Sequence, residues 1–421
     1  MGGIKRVVGI AFIWCVASVG WMILGGVTLQ RGSQQQASLR DGVEHLWGSA
    51  QVQDAPELGF SWQTERLVER LEEKNGVATQ VREMQQETHT KALLPDSSQV
   101  DVDLRSDLRR KGLVWYPLYD VRFGARYSYT HTESQAGRLA VRFVFPDRSA
   151  IYDGFRFTVN GTDYAGALNA ADGSITADLP VEQGTKLDIQ LGYTSRGLEQ
   201  WSYRPSTNVA RLRDFTLNMR TRFREIDFPA QTLSPSSREQ APDGWALRWH
   251  FDQIVSGFGI GMIVPTRLQP GELASSLSFS APISLFFYFL VLYVLATLRR
   301  IEIHPVNYFF IAGAFYAFHL LFAYSVDHLA VETAFALCSC VSVVLVASYL
   351  RLVVSASFAL REAALAQLIY LVGFSLAYFW QGFTGLTVTV LAIVTLFALM
   401  QLTGRVRWSE VFGPSRAAAQ G

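Results

Sequence analysis

Apolar and polar positions follow two different rules along this chain. Near the start and after about residue 277, apolar residues come in long runs. Between them, from about residue 100, they alternate with polar ones. Val7–Leu29 is the first run, with Lys5 and Arg6 before it and Arg31 after. A bilayer core of about 30 Å takes about 20 residues of helix, so this run predicts a transmembrane anchor. It is too long for a signal peptide, and no clear A-x-A cleavage site follows it. Five more runs predict five further spans: Phe279–Leu298, Val306–Val326, Leu329–Leu350, Ala363–Trp380 and Phe383–Thr403. Cytoplasmic ends of spans are rich in Lys and Arg. With the N-terminus inside, the inner segments hold Lys5/Arg6, Arg299/Arg300, Arg351/Arg361 and Arg405/Arg407. The short outer turns hold Asp327 and Glu332, then Trp380–Phe383, with no Lys or Arg. The expectation is six spans with both termini cytoplasmic and residues 31–276 outside.

Within that outer segment, Gly32–Gln51 is polar and is read as beginning helically. Trp62–Gln86 is read as a helix, because Leu67, Leu71, Val77, Val81 and Met84 fall near one face, with Gly76 weakening its middle. Leu94–Gln99 reads as a loop. Beyond it the period is two. Val121, Phe123, Ala125, Tyr127 and Tyr129 alternate with mostly polar residues, as do Leu139–Phe145, Leu187–Tyr193, Phe215–Thr221 and Trp245–Phe251. Such alternation predicts strands with one buried face. Asn160-Gly161 predicts a hairpin turn, because both residues readily take positive φ; with Thr162 they also match a glycosylation sequon. Many strands separated by polar turns predict an antiparallel sandwich. Trp201, Tyr203, Trp245 and Trp249 are expected in its core, with a binding groove as the competing reading. Phe228–Pro235 reads as a crossing loop and Gly257–Met262 as a bent strand.

Composition narrows the function. The formal charge is +1, with 37 Lys and Arg against 36 Asp and Glu, so no basic excess points to nucleic acid. Cys15, Cys338 and Cys340 all lie in apolar runs, leaving the outer segment without a disulfide. The last two are two residues apart, which on a helix sets them on different faces. No phosphate loop, HExxH, GxSxG or nucleotide fingerprint is present. No catalytic residue, cofactor or metal site is expected. Polar groups inside spans are costly unless paired or wet, so His319 and Gln367 are the intramembrane candidates, with Asn307 near a span end. His319 could relay protons, but a hydrogen bond to a neighbouring helix is the simpler role.

The stretch "RRIEIHPVNYFFIAGAFYAFHLLFAYSVDH" (Arg299–His328) resembles the CreD family of bacterial inner-membrane proteins, with its arginine-rich Ile-His-Pro-Val-x-Tyr entry to a span ending in Ser-x-acid-His. "QLTGRVRW" (Gln401–Trp408), "GVEHLWGSAQVQDAPEL" (Gly42–Leu58) and "LRRKGLVWYPLYDVRF" (Leu108–Phe123) are similar to further segments of that family. Two segments depart from it, "WQGFTG" (Trp380–Gly385) and "LQPGELASSLSFSAPIS" (Leu268–Ser284). The resemblance implies a role in cell-envelope integrity or envelope stress response, with no defined molecular activity. Arg299, Arg300, His304, Pro305, Tyr308, Asp327 and His328 are motif positions only. In the bare corner Arg299–Pro305, Glu302 is expected to pair with the arginines, Pro305 to start the next helix and His304 to cap it.

The expected architecture is therefore a mixed membrane protein: an N-terminal anchor helix, an extracytoplasmic antiparallel β-sandwich-like domain and a C-terminal five-helix transmembrane block. The boundaries are 1–30 anchor, 31–98 polar and helical segment, 99–276 β-rich domain, 277–408 five-span domain, and 409–421 disordered cytoplasmic tail. Expected partners are the lipid bilayer and a periplasmic or envelope protein met through residues 99–276, with no nucleic acid. A transporter or lipid-handling protein and a membrane-anchored hydrolase are the competing functions.

Overall fold

A computed structural model describes residues 3–404 apart from 75–76, 112–113, 165–166, 170–171, 207–208 and 381. The tail expected at 409–421 lies outside the described residues. The chain forms two compact units: a helical one comprising Met1–Leu39, Arg110–Trp115 and Leu268–Gly421, and a β unit comprising Arg40–Arg109 and Tyr116–Arg267.

Among the described residues, six helices are long and apolar enough to cross a membrane by length and composition. They are α1 (Gly3–Trp47), α2 (Pro270–Leu298), α3 (Pro305–Ser325), α4 (Val331–Val353), α5 (Ala356–Phe379) and α6 (Thr384–Thr403). Three start or end beyond their apolar runs. α1 continues through the polar stretch to Trp47; α2 begins at Pro270, whose missing N–H costs nothing in a first turn; α5 begins at Ala356, where the Ser355 hydroxyl accepts from the Phe358 N–H. Trp21 of α1, Tyr288 and Leu292 of α2, Phe315 of α3, Cys338 and Val346 of α4 and Leu371 of α5 share one core. Cys338 is buried and Cys340 exposed, as their two-residue spacing requires. Side-chain bonds tie α1 to α2: Trp14 Nε1 donates to the Pro282 carbonyl at 2.8 Å and Ser275 Oγ to the Gly25 carbonyl at 3.0 Å.

Among the described residues there are sixteen strands: β1 (Gln51–Asp54), β2 (Glu57–Lys74), β3 (Val77–Leu93), β4 (Ser97–Lys111), β5 (Val114–Thr130), β6 (Gly137–Val144), β7 (Tyr152–Val159), β8 (Thr162–Asp163), β9 (Ala167–Asn169), β10 (Ser174–Val181), β11 (Lys186–Leu198), β12 (Gln200–Arg204), β13 (Ala210–Thr221), β14 (Ser237–Ala241), β15 (Gly244–Ser256) and β16 (Ile260–Ile263). One sheet has eight strands in the order β14-β15-β13-β4-β5-β11-β7-β8, a second has β3-β2-β6-β10-β9, and a third has β1-β12-β16. One apolar core joins all three, including Phe123 and Tyr127 of the first, Phe60 and Phe143 of the second and Trp201 and Tyr203 of the third. Trp201, Tyr203 and Trp249 are fully buried and Trp245 half-buried, so these aromatics are core and not a groove. The Asn160-Gly161 turn joins β7 to β8 with φ of 51° and 78°, the positive pair that a two-residue hairpin needs.

The structure corrects several expectations for the β region, among them the loop at Leu94–Gln99, of which Ser97–Gln99 lies in β4. Trp62–Gln86 is not a helix. It lies in β2 and β3, which pair antiparallel from Leu58↔Leu93 to Lys74↔Val77. In sequence, Asn75-Gly76 between them is the dipeptide that favours tight hairpins; Leu67 and Met84 of the expected helical stripe are exposed cross-strand partners. Residues 31–98 are accordingly helical only to Trp47. The sheets are not wholly antiparallel, since β1 runs parallel to β12 and β4 to β13. Gly257–Met262 is not one bent strand: β15 ends at Ser256, Gly257–Gly259 breaks the run, and Ile260–Met262 belongs to β16 in another sheet.

Candidate functional site

The open face of the eight-stranded sheet forms a trough of about 1190 Å³. Its walls and floor come from alternate residues of seven neighbouring strands, because successive side chains in a strand point to opposite faces. Val121, Phe123, Ala125 and Tyr127 of β5 go into the core, which leaves Arg122, Gly124 and Arg126 facing out. β11 offers Gln190, Gly192 and Thr194 in the same way, β13 offers Asn218 and Arg220, and β4 offers Gln99, Asp101 and Asp103. Arg156 of β7 and Arg248 of β15 stand towards the two sides.

Register aligns these groups. Arg156 pairs with Gly192, and Gly192 with Gly124. A side chain on Gly124 would begin 3.9 Å from the Asp101 carbonyl oxygen. Asp101 pairs with Asn218, and Asn218 with Arg248. One row thus crosses the sheet with arginines towards its ends and two side-chain-free positions between them. The lining carries five arginines against three carboxylates, Asp101, Asp103 and Glu239. Arg126 holds Asp188 with two bonds, at 2.8 and 2.7 Å; that hydrogen-bonded contact keeps the Asp188 carboxyl below its ordinary range. Asp103 is held by Arg222 at 3.2 Å, and Asp101 accepts from Asn218 Nδ2 at 2.9 Å. Among the described residues, Arg122, Arg156, Arg220 and Arg248 have no acidic partner. No group of three metal-ligating side chains occurs among the described residues.

The motif positions lie elsewhere, in the helical unit, and fall into two places. At the α2–α3 corner, Arg299 Nη2 donates to Glu362 of α5 at 2.8 Å, and Arg300 takes φ 56° to turn the chain. Glu302 pairs with Arg6 of α1 at 3.3 Å and not with the adjacent arginines. His304 caps α3, its Nδ1 accepting from the Val306 N–H at 3.3 Å, and Pro305 opens the helix. Tyr308 is buried edge-on against Phe289, with ring centres 5.1 Å apart. At the other end of α3, Asp327 accepts from Arg31 Nη2 at 3.3 Å, while the same nitrogen donates to the Ala323 carbonyl at 2.7 Å. Arg31 also lies 4.8 Å from the Tyr324 ring centre. Arg110 Nη2 donates to the carbonyls of Val326 and Asp327 at 3.3 and 3.4 Å. His328 is exposed, with its N–H on the Ser325 carbonyl.

The intramembrane candidates are buried and are not joined to each other by any hydrogen bond among the described residues. His319 Nδ1 bonds the Phe315 carbonyl of its own helix at 3.1 Å, and its ring packs edge-on against Trp21 at 5.7 Å. Gln367 Nε2 donates to Ser342 Oγ of α4 at 2.8 Å, and Ser342 donates onward to the Ala314 carbonyl of α3 at 2.9 Å. Gln367 lies between two π-helical stretches of α5, Ala359–Ala363 and Leu368–Gly373. Asn307 accepts from the Tyr349 hydroxyl at 2.9 Å.

No family model matches this chain, and no curated protein does. Among solved structures, it is similar to a protein of Legionella pneumophila subsp. pneumophila str. Philadelphia 1 described as a "putative nutrient binding protein". The similarity covers 53% of this chain and 82% of that one, at 10% identity and a TM-score of 0.30. At that score it carries no argument about fold or ligand.

Sequence reading missed the trough. Its signal was the outward set of each strand, the arginines and glycines between the apolar positions, which alternation flags only as exposed.

Proposed function

We propose that this chain is a multi-pass protein of the bacterial inner membrane, CreD-like, with both termini cytoplasmic and residues 31–276 periplasmic. It acts without catalysis in cell-envelope integrity or the envelope stress response, through the β unit. The observation that carries the membrane part is the exposed apolar surface of helices of spanning length: Phe12, Val16 and Ile23 on α1, and Ile393, Phe397 and Met400 on α6, are each more than half exposed. Surfaces of that kind need a covering, and a bilayer supplies one. The orientation rests on the arginine pairs near Arg299 and Arg351 set against Asp327 and Glu332 at the opposite turns. Compartment and physiological role rest on the resemblance at Arg299–His328. A transport reading has less support, because His319, Gln367 and Asn307 are each engaged in packing contacts within or between helices.

Two experiments test this. A fluorescent protein fused at the C-terminus should fluoresce, and alkaline phosphatase inserted at Asn160-Gly161 should be active; the reverse pair of results removes the topology. Deletion of the gene should alter sensitivity to detergents or other envelope-active agents, and unchanged sensitivity across a broad panel removes the role.

A further inference from the structure

We propose that the trough on the eight-stranded sheet binds an acidic glycan, a linear, hydroxyl-rich chain carrying anionic groups. The proposal rests on the reading that the β unit faces the cell envelope, and it names what that unit would hold. Four observations select this class.

The first is charge. Arg122, Arg156, Arg220 and Arg248 lack carboxylate partners among the described residues, whereas on the five-stranded sheet Arg138 holds Asp178 and Arg142 holds Glu57 and Asp172. A guanidinium offers a rigid fork of donors that suits carboxylates and phosphates. The second is extent. Seven strands at roughly 4.8 Å spacing give an arc of about 30 Å, which suits a chain of several units better than a single small molecule. The third is the floor. Gly124 and Gly192 are direct cross-strand partners, so the backbone is bare where a ligand would lie deepest. The fourth is the neutral lining. Gln99, Gln190, Thr158, Thr194 and Asn218 supply amides and hydroxyls that donate to and accept from sugar hydroxyls. The aromatics at its edge, Phe123 and Tyr193, have their rings buried in the core. No ring there is free to stack on a nucleobase, which single-stranded nucleic acid sites use.

The test is titration calorimetry on the full chain in zwitterionic nanodiscs, with hexagalacturonate as probe and maltohexaose and a thymidine oligonucleotide as comparisons. The expected result is hexagalacturonate binding that weakens as salt rises, with no measurable heat from maltohexaose. Replacing both side arginines (Arg156→Ala with Arg248→Ala) should weaken binding at least tenfold. Gly124→Leu, whose added Cβ meets only an ordinary contact, the Asp101 carbonyl oxygen at 3.9 Å, should block it while leaving the near-ultraviolet circular dichroism unchanged. The proposal is overturned if the wild-type chain does not bind hexagalacturonate, if maltohexaose or the oligonucleotide binds as well, or if both folded variants bind normally. The binding assay and the topology reporters fail independently, so loss of one reading does not disguise loss of the other.

Discussion

Gly48 ends α1 and separates two costs that glycine usually carries together. Its φ is 88°, and a side chain there would start 2.9 Å from the Arg196 carbonyl oxygen. Gly161, in the β7–β8 turn, has φ 78° but open space around it. An L-residue in the left-handed region costs roughly 1–2 kcal/mol, so Gly161→Ala should cost about that. Gly48→Ala adds a clash with backbone that cannot rotate away, and forced overpacking costs roughly a further 1–3 kcal/mol. For a unit of this size each kcal/mol lowers Tm by roughly 2–4 °C. Gly161→Ala should therefore shift the melt by about 2–8 °C and Gly48→Ala by about twice as much or more. The assay is thermal unfolding of the full chain in detergent, followed by near-ultraviolet circular dichroism, which reports the packed aromatics of the β core. Equal shifts for the two variants would falsify the argument that Gly48 is required for space as well as for backbone angle. The consequence reaches Trp47, the residue before it, whose ring stacks under Arg109 at 4.1 Å and near Arg196 at 5.4 Å.

Three further outcomes are expected. A double-mutant cycle on Arg31→Met and Asp327→Ala, read by thermal unfolding, should show a coupling of about 1–2 kcal/mol for a partly buried charged hydrogen bond; zero coupling would mean that Arg31 is held by the Ala323 carbonyl and Tyr324 alone. Hydrogen exchange should be faster over Gln63–Lys74 and Val77–Thr88 than in β5, because beyond Ser61 the β2–β3 pair is a two-stranded ribbon with no third strand among the described residues; equal protection would point to a covering partner. At Asp147, burial pushes the carboxyl up but is outweighed by hydrogen bonds from the N–H groups of Ser49 and Ser149 and the Ser49 hydroxyl, which leave it below its ordinary value. A depressed carboxyl stabilises the fold above its unfolded value near 4 and loses that contribution as pH falls through the folded value. Asp147→Asn should therefore destabilise by about 1 kcal/mol at pH 7, after allowing for solvent screening, and the gap to wild type should close below about pH 4; a constant gap would assign the loss to shape.

The helices and the β5, β6, β11, β13 and β15 strands were legible in the sequence because each pattern repeats over many residues and each period has one physical cause. The β2–β3 ribbon was not. Beyond Ser61 it pairs with no third strand among the described residues, so no neighbouring strand imposes alternation, and a chance helical stripe fills the pattern. Asn75-Gly76 was the better guide there, since a local backbone preference persists where burial gives no signal. Sheet order was likewise out of reach: β4 lies beside β13, and β1 beside β12, through parallel pairings between segments more than a hundred residues apart.

The same contrast explains why the family-like motif and the candidate site fall in different places. Arg299–His328 is contiguous because it spells one helix with its two ends: His304 and Pro305 start α3, and Asp327 receives Arg31 where α3 stops. His304, Pro305 and Asp327 are thereby committed to a helix end or to a neighbouring helix. The trough draws on Gln99 through Arg248, a few outward residues per strand, and becomes a site only when register places Arg156, Gly192 and Gly124 in one row and Asp101, Asn218 and Arg248 in its continuation. A site built this way leaves no local motif. It is found by asking what the exposed half of each alternating strand carries, and here that half carries four arginines without acidic partners among the described residues, beside glycines without side chains.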